Sequence, residues 1–450
     1  MPSKSFPRIL LSLILLSAAG TSLGAAESRY LDAARAAARW LDSVQIKTEK
    51  GIAWPADPND PQSINASLYA GTPGVILFLL ELHGATGEAA PLETARAGAE
   101  DLLVRLESET DASLYGGAAG IGYVLEEVFK STGAEVYRKG FLRALEKIRA
   151  GAVRRGAGVE WSAVTDIIGG GAGIGLFLLY AAEELGDPSW LELAAEDGRR
   201  LVELGRPKRG GLDWPMDPGY PRLMPNFAHG TAGVAFFLTR LYERRNEKEF
   251  LEAALAGARY LQAIAKTEND ACLVFHHEPD GEDLFYLGWC HGPVGTGQLF
   301  HRLALASGDP SWTDWLRRSA RGVSGSGIPE ARTPGFWNND GLCCGLAGVA
   351  DFFLSMRLFA GDPADLAFCD RVTDALLAAA TVEDGRMKWL QAEHRTRPDF
   401  LVAQTGLMQG AAGIGLYLLR RDGFMRGRAP RIVLPDSGFR PAQSRPQIAA

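Results

Sequence analysis

The sequence predicts an all-α protein built as a closed double ring of seven helix pairs, an (α/α)7 double toroid. Two observations predict this fold: a Gly-x-x-Gly motif followed by an apolar run occurs seven times, and an amphipathic stretch precedes each of the seven motifs. The motifs begin at Gly71, Gly117, Gly170, Gly230, Gly292, Gly345 and Gly410. Their intervals of 46 to 65 residues leave room for two helices and two loops in each unit.

The amphipathic stretches are predicted to form the outer helices, since apolar residues recur at intervals of three and four with charges on the opposite face. They begin at Arg29, Glu93, Gly140, Trp190, Phe250, Trp312 and Asp365. The helices after the glycine motifs are more apolar all round, which predicts that they form a buried inner ring. Glycine has no Cβ, so the motifs would let the inner helices begin close to their neighbours.

The two ends of the chain differ from the repeats. In residues 1–26, Lys4 and Arg8 precede an apolar run and then small residues, the pattern of a secretory signal peptide. The run is shorter than the roughly 20 residues of a spanning helix, so we expect an exported mature protein, periplasmic or secreted, without a stable membrane span. A retained N-terminal anchor is the alternative. Residues 27–426 would form the toroid, and residues 427–450 an irregular tail outside the ring.

Charge and residue types exclude some classes of function. The formal net charge is −7 and no basic cluster is present, which argues against a nucleic-acid partner. Carbohydrate-active enzymes with (α/α) rings need paired carboxylates in the cavity. The positions before the glycine motifs are rich in thiols instead, so this class is less favoured.

Three of the five cysteines stand directly before glycine motifs: Cys290 in the fifth unit, and Cys343 and Cys344 in the sixth. In a closed ring of repeats, equivalent positions lie at the same end, so these thiols are expected to share one mouth. Three thiolates are the ligand types of a zinc site with its fourth position open. A vicinal disulfide between Cys343 and Cys344, or inert buried thiols, is the alternative. Cys272 and Cys369 fit neither arrangement, and Cys369 is predicted to lie in the core.

Two histidines and a carboxylate are expected at the same mouth. His229 directly precedes the fourth motif, His291 directly precedes the fifth, and Asp166 lies four residues before the third. The remaining histidines have no equivalents in other repeats and are expected on the surface or in packing: His83, His276, His277, His301 and His394.

The combination of "AHGTAG", "GWCHGPVG" and "LCCGLAG" with seven glycine motifs resembles the lanthionine synthetase C-like family, which comprises lanthipeptide cyclases and their relatives. The resemblance runs from about Arg29 to Arg421, nearly the whole mature chain. It implies an (α/α)7 double toroid with one zinc ion at the mouth, bound by Cys290, Cys343 and Cys344.

The activity implied by the resemblance is zinc-dependent addition of a cysteine thiol to a dehydrated serine or threonine of a peptide. The substrate would be a peptide or a small thiol. The resemblance also implies that His229 is catalytic and that Asp166 assists it, with His291 as a rival proton donor. An exported zinc-binding protein that binds peptides or acts as a scaffold, without cyclase activity, is the alternative.

The chain departs from the family pattern in three ways. Histidine is the commoner third ligand where this sequence has Cys344, although some synthetases carry three cysteines. Some cyclases have arginine four residues before the first zinc cysteine, where this chain has Tyr286. Finally, lanthipeptide cyclases normally work in the cytosol, whereas this chain begins with a predicted signal peptide.

Overall fold

A computed structural model describes residues 28–439, and helices make up most of this part of the chain. The predicted signal peptide lies outside the described residues. Among the residues that are described, no helix is both long enough and apolar enough to cross a membrane.

The inner ring consists of the helices that follow the glycine motifs. They are α2 (Thr72–Thr86), α4 (Ala118–Thr132), α6 (Gly171–Leu185), α8 (Thr231–Arg245), α10 (Pro293–Ser307), α12 (Leu346–Ala360) and α14 (Ala411–Met425). In each case the first glycine of the motif is the N-cap residue, so every inner helix begins at the same point of its repeat.

The outer ring consists of the amphipathic helices, each of which contains the predicted stretch. They are α1 (Arg29–Val44), α3 (Ala89–Ser108), α5 (Glu135–Gly151), α7 (Pro188–Leu204), α9 (Lys248–Ile264), α11 (Ser311–Ser324) and α13 (Pro363–Ala378). Each inner helix packs against the outer helix that follows it, and α14 packs against both α1 and α2. The two ends of the repeat array therefore meet and close the predicted double toroid.

Short antiparallel strand pairs lie in the connections between helices. They are β1 (Ile46–Lys47) with β2 (Ile52–Ala53), β3 (Val153–Arg155) with β4 (Gly158–Glu160), β5 (Arg206–Lys208) with β6 (Gly211–Asp213), β7 (Thr381–Glu383) with β8 (Arg386–Lys388), and β9 (Gln391–Ala392) with β10 (Leu401–Val402). A tryptophan just after the second strand ties several of these hairpins to the preceding outer helix. The indole N–H of Trp214, for example, donates to the carbonyl of Leu201, 2.6 Å away.

The second glycine of a motif makes room for the loop that leads into the inner helix. A Cβ on Gly295 would lie 2.0 Å from the carbonyl oxygen of Trp289 and 2.5 Å from the Cβ of Phe227 in the preceding unit. Any larger residue would therefore displace the loop that carries Cys290. The glycine thus permits close approach of neighbouring units, as expected, and also fixes the path of the chain into the mouth.

The described part of the C-terminal tail, residues 427–439, forms no helix or strand, but the predicted position outside the ring is wrong for residues 431–439. These residues enter the space enclosed by the inner helices. The Glu81 carboxylate on α2 accepts the backbone N–H groups of Arg431 and Ile432, at 2.9 and 2.8 Å. The prediction failed because it assumed that a segment without hydrophobic periodicity cannot lie in the interior. Buried polar side chains of the inner helices bind this segment instead.

Candidate functional site

The turns before the glycine motifs are joined to one another around the ring by backbone hydrogen bonds. From N–H to carbonyl, the bonds run from Ala228 to Cys290 (2.9 Å), Trp289 to Cys343 (2.8 Å), Cys343 to Met408 (2.9 Å), Met408 to Tyr69 (2.9 Å), Tyr69 to Tyr115 (3.2 Å) and Tyr115 to Ile168 (3.2 Å). Equivalent residues of all seven units therefore lie at one level, at the mouth formed by the amino ends of the inner helices. This geometry brings the predicted site residues together.

The three predicted thiols form a compact buried cluster at this level. The Sγ atoms of Cys290 and Cys344 are 3.2 Å apart, and those of Cys344 and Cys343 are 3.3 Å apart. All three sulfur atoms lie within 4.8 Å of one another. These separations are longer than a disulfide bond of about 2.05 Å, and all five cysteines are free thiols. The vicinal disulfide is therefore not formed in this structure.

Polar side chains from the first and seventh units surround the sulfur atoms. Tyr69 lies beside Cys343, whose charge helps to raise the pKa of the phenol well above its usual value, after the larger effect of burial. The Gln409 amide nitrogen donates to the Tyr69 oxygen at 3.0 Å and approaches Cys344 Sγ at 3.9 Å. Asn339 donates to the Gln409 oxygen at 2.7 Å, which orients the amide so that its nitrogen faces the sulfurs. Gln409 and Tyr69 are not among the predicted site residues, because neither has a side chain that commonly binds metal ions.

The charge on the cluster tests whether it fits a metal ion. Hydrogen bonds from Cys290 and Cys344 hold the pKa of the Cys343 thiol well below its usual value, while burial raises the pKa of Cys290. Without a cation the cluster thus favours one thiolate stabilised by neighbouring S–H groups. Three thiolates at these distances repel one another, and a divalent cation bound by all three removes that repulsion. The donor set therefore fits a thiophilic metal ion, with zinc as the expected one.

His229 and Asp166 form a hydrogen-bonded pair beside the cluster. His229 Nδ1 lies 2.8 Å from Asp166 Oδ2, and the other carboxylate oxygen accepts the backbone N–H of Gly169 at 2.7 Å. Burial lowers the pKa of His229, but the hydrogen bond and the negative charge of Asp166 outweigh it, so the pKa is raised overall. Because Nδ1 faces the carboxylate, Nε2 is the nitrogen left for proton exchange.

His291 lies next to His229 but in a different electrostatic environment. The two rings stack with centroids 5.4 Å apart. Burial, reinforced by neighbouring imidazoles, holds the pKa of His291 well below its usual value. Its Nδ1 is buried and has no hydrogen-bond partner among the described residues. His291 therefore resides at the mouth as predicted, but as a neutral ring without the carboxylate partner that His229 has.

His276, expected to be a surface or packing residue, packs at the mouth itself. Its ring stacks on His291 at 4.0 Å between centroids and meets Tyr286 edge to face at 4.4 Å. Tyr286 in turn contacts Trp337, with centroids 5.2 Å apart. These rings form an aromatic wall of the mouth. His276 was missed because it lies in a loop with no counterpart in the other repeats. His301 packs against Phe439 as expected of a packing residue.

A guanidinium group that the sequence did not single out lies beside this wall. Arg395, in the loop between β9 and β10, lies close to Tyr286, and its guanidinium opposes the rise that burial gives to the pKa of that phenol. Its positive charge helps to lower the pKa of His276 to about 3, after the larger effects of burial and of His277. Arg395 is half-buried, and its Nε is buried without a hydrogen-bond partner in the described part of the chain. A cation thus stands beside the residue that occupies the family's arginine position.

The chain also matches a known protein family over most of its length. The family described as "Lanthionine synthetase C-like protein" matches residues 62–432. No curated protein matches the chain by sequence.

Two solved structures have a similar fold. A structure titled "Nisin cyclase" superposes with a TM-score of 0.61 at 18% identity, over 86% of this chain and 92% of that one. A glycoside hydrolase family 76 mannosidase from Bacteroides thetaiotaomicron superposes with a TM-score of 0.52 at 13% identity, over 89% of this chain and 100% of that one. At these identities the two structures establish the toroid fold and no more.

Proposed function

Because the chain belongs to the lanthionine synthetase C-like family, we propose that it is a zinc-dependent cyclase that adds a cysteine thiol to a dehydrated serine or threonine of a peptide. One observation carries this proposal: a buried three-thiol cluster and a carboxylate-bound histidine share one mouth of the ring. The reaction needs no co-reactant. The substrate S–H adds across the C=C bond, so that sulfur bonds the β carbon and a proton reaches the α carbon.

Cys290, Cys343 and Cys344 would hold the metal ion, and a zinc site with three protein ligands could accept the substrate's sulfur as its fourth. Zinc bound there would keep the substrate's sulfur as the nucleophilic thiolate. Gln409, which approaches Cys344 Sγ and donates to the Tyr69 oxygen, would orient the protein sulfurs, a supporting role that usually matters to metal affinity.

His229 would exchange the proton. Its Nε2 is free because Asp166 binds Nδ1, and the raised pKa leaves a fraction of the imidazole protonated near neutral pH. The protonated ring can supply the proton that the α carbon needs after sulfur has attacked. His291 is less suited to this step, since its pKa is well below the usual value and it is neutral.

The aromatic wall and Arg395 would hold the acceptor end of the substrate. Attack of sulfur on the alkene moves negative charge onto the adjoining carbonyl oxygen, and a guanidinium nearby stabilises that charge. Tyr286 at the position of the family's arginine is therefore compatible with cyclase activity, because a guanidinium from another loop lies close to it.

Export of the mature chain is part of the proposal. It rests on the sequence of residues 1–26, and it requires that a dehydrated peptide reach the protein outside the cytosol. The scaffold alternative keeps the ring and the metal ion but has no use for proton transfer. The two candidates therefore differ at His229.

The experiment replaces His229 by alanine in the mature protein. We expect His229→Ala to retain its zinc, because the imidazole is not among the sulfur ligands. Cyclisation of a dehydrated cysteine-containing peptide should slow by about 10²–10⁴-fold. The rate is measured by mass spectrometry after a thiol-alkylating reagent has labelled the cysteines that have not reacted. His83→Ala is the matched control, since that half-buried histidine at the far end of α2 bonds only the carbonyl of Glu88. Undiminished cyclisation by His229→Ala would refute the assignment, and a zinc-loaded wild type without activity would favour the scaffold.

A further inference from the structure

The described end of the chain, residues 431–439, occupies the lumen of the inner ring. Ile432 is 6% exposed and Asp436 is 3% exposed. The Phe439 ring stacks on His301 of α10, with centroids 4.6 Å apart, and the Arg240 guanidinium on α8 donates to the Ser437 carbonyl at 3.4 Å. The segment therefore contacts helices on several sides of the ring.

Most of the polar contacts to this segment are made to its backbone. Besides the two N–H groups bound by Glu81, the Tyr123 hydroxyl on α4 donates to the Val433 carbonyl at 3.1 Å. The Gln298 oxygen on α10 accepts the Gly438 N–H at 2.7 Å. Buried polar groups on the inner helices thus obtain their partners from this segment, and it obtains its own from them. This is a defined site for an extended chain, filled by the protein's own C-terminal residues.

One side chain of the segment contacts a residue from the ring of turns that carries the thiols. The Tyr115 hydroxyl donates to Asp436 Oδ2 at 3.0 Å. The Tyr115 ring lies 5.6 Å from the ring of Trp289 and 6.3 Å from that of Tyr69, measured between centroids. Trp289 directly precedes Cys290 in the sequence, and the Tyr69 side chain lies beside Cys343. Tyr115 is therefore in contact with a neighbour of each of two sulfur atoms.

We propose that residues 431–439 form the inner floor of the reaction chamber and that Asp436 is a positioning residue of the metal centre, acting through Tyr115. The proposal rests on a metal ion at the three-thiol cluster but not on cyclase activity. With Asp436 in place, the Tyr115 hydroxyl is satisfied and its ring is fixed beneath Trp289 and Tyr69. Without it, a buried hydroxyl lacks its acceptor, and the ring is free to turn or draw in water.

The floor also determines how a substrate reaches the sulfur atoms. The lumen beneath Tyr115 is filled by chain, so a peptide cannot thread through the ring. The reacting cysteine and the dehydrated residue must both enter at the mouth, as a loop. The chamber therefore favours peptides that can bring the two reacting residues together at a turn.

The experiment makes two measurements on full-length mature chains. Zinc affinity is measured by competition with a chromogenic chelator, and the metal environment is measured by the cobalt(II)–thiolate absorption of cobalt-substituted protein. Asp436→Ala should lower zinc affinity about 10-fold, the usual size for loss of a residue that supports metal ligands, and should change the cobalt spectrum. Asp436→Asn keeps an oxygen acceptor for Tyr115 and should restore most of the affinity. Ser437→Ala is the matched control, because the Ser437 side chain has no hydrogen bond in the described structure while its carbonyl contact remains.

Unchanged zinc affinity and an unchanged cobalt spectrum in Asp436→Ala would overturn the proposal. If that variant fails to fold, Tyr115→Phe provides the same test, since it removes the hydroxyl and keeps the ring. A wild-type cobalt spectrum in Tyr115→Phe would equally overturn it. Neither readout uses a peptide substrate, so an inactive but zinc-loaded wild type would defeat the proposed cyclase function and leave this result unaffected.

Discussion

Asp166→Asn is the substitution that most directly tests proton transfer at the mouth. In the wild type, one carboxylate oxygen accepts the Gly169 N–H at 2.7 Å and the other meets His229 Nδ1 at 2.8 Å. Asparagine must keep its oxygen toward Gly169, so its NH₂ group faces His229. The imidazole then has to accept at Nδ1 and carry its proton on Nε2. The substitution therefore reverses the tautomer and also removes the buried negative charge that raises the pKa of His229.

Both effects lower the reaction rate. With the wrong tautomer and no neighbouring charge, the histidine loses most of its acid–base contribution, which is worth about 10²–10⁴-fold in rate. Because burial remains and the charge does not, the pKa of His229 falls in the variant. The protonated form is then lost at lower pH, so the alkaline limb of the rate profile moves to lower pH. The pair also contributes to the free energy of unfolding of the wild type. That contribution is fully present below the ordinary pKa of histidine and is lost as the pH rises through the raised pKa of His229.

Cyclisation rates between pH 5.5 and 9, together with nitrogen-15 spectra of labelled histidine that report the tautomer, would test this prediction. Zinc content should stay at the wild-type level. Asp197→Asn is the matched control, because Asp197 on α7 is 1% exposed and burial raises its pKa well above the ordinary value. Burial disfavours the charged form of Asp197, so an uncharged amide is a mild replacement there. An unchanged rate profile and an unchanged tautomer in Asp166→Asn would refute the reasoning.

Two further substitutions test the metal ion and the substrate-binding wall. Cys344→Ser should lower the zinc content sharply, as measured by metal analysis. Cys369→Ser, at a buried position on α13, should not lower it. Equal zinc content in the two variants would place the metal elsewhere. Arg395→Gln should lower kcat/KM for cyclisation about 10-fold or more, the usual size of a lost charged hydrogen bond, with normal zinc content. Arg397→Gln, an exposed cation over the Phe400 ring, should leave kcat/KM unchanged, and identical kinetics in the two arginine variants would exclude a role for the guanidinium.

The position of the thiols could be predicted because the repeat fixes it. Each glycine motif begins an inner helix, and the residue pair before it joins the ring of backbone hydrogen bonds. Counting back from Gly292 and Gly345 was therefore enough to place Cys290 and Cys343 at one level. The same counting placed His229 at this mouth.

The site residues that could not be predicted lie in segments that have no counterpart in the other repeats. His276 and Arg395 come from long connections that differ from unit to unit, so no register relates them to the mouth. The lumen segment did leave one signal in the sequence. Glu81 interrupts a run on α2 that is otherwise strongly apolar, and a buried polar group on such a helix needs a partner. In this protein the partner is the backbone of residues 431–439.

The choice between enzyme and scaffold depends on why the mouth contains a buried ion pair. Asp166 has a side chain that is only 2% exposed and faces an imidazole, and burying such groups costs free energy unless the pairing is good. The ring does not require the pair, since Ala70, Gly116 and Gly169 occupy the position of His229 in the first three units. A metal site with three sulfur ligands does not require it either. Proton transfer at the mouth does require a histidine with a fixed tautomer and a raised pKa, and the pair provides both. We therefore favour the enzyme over the scaffold.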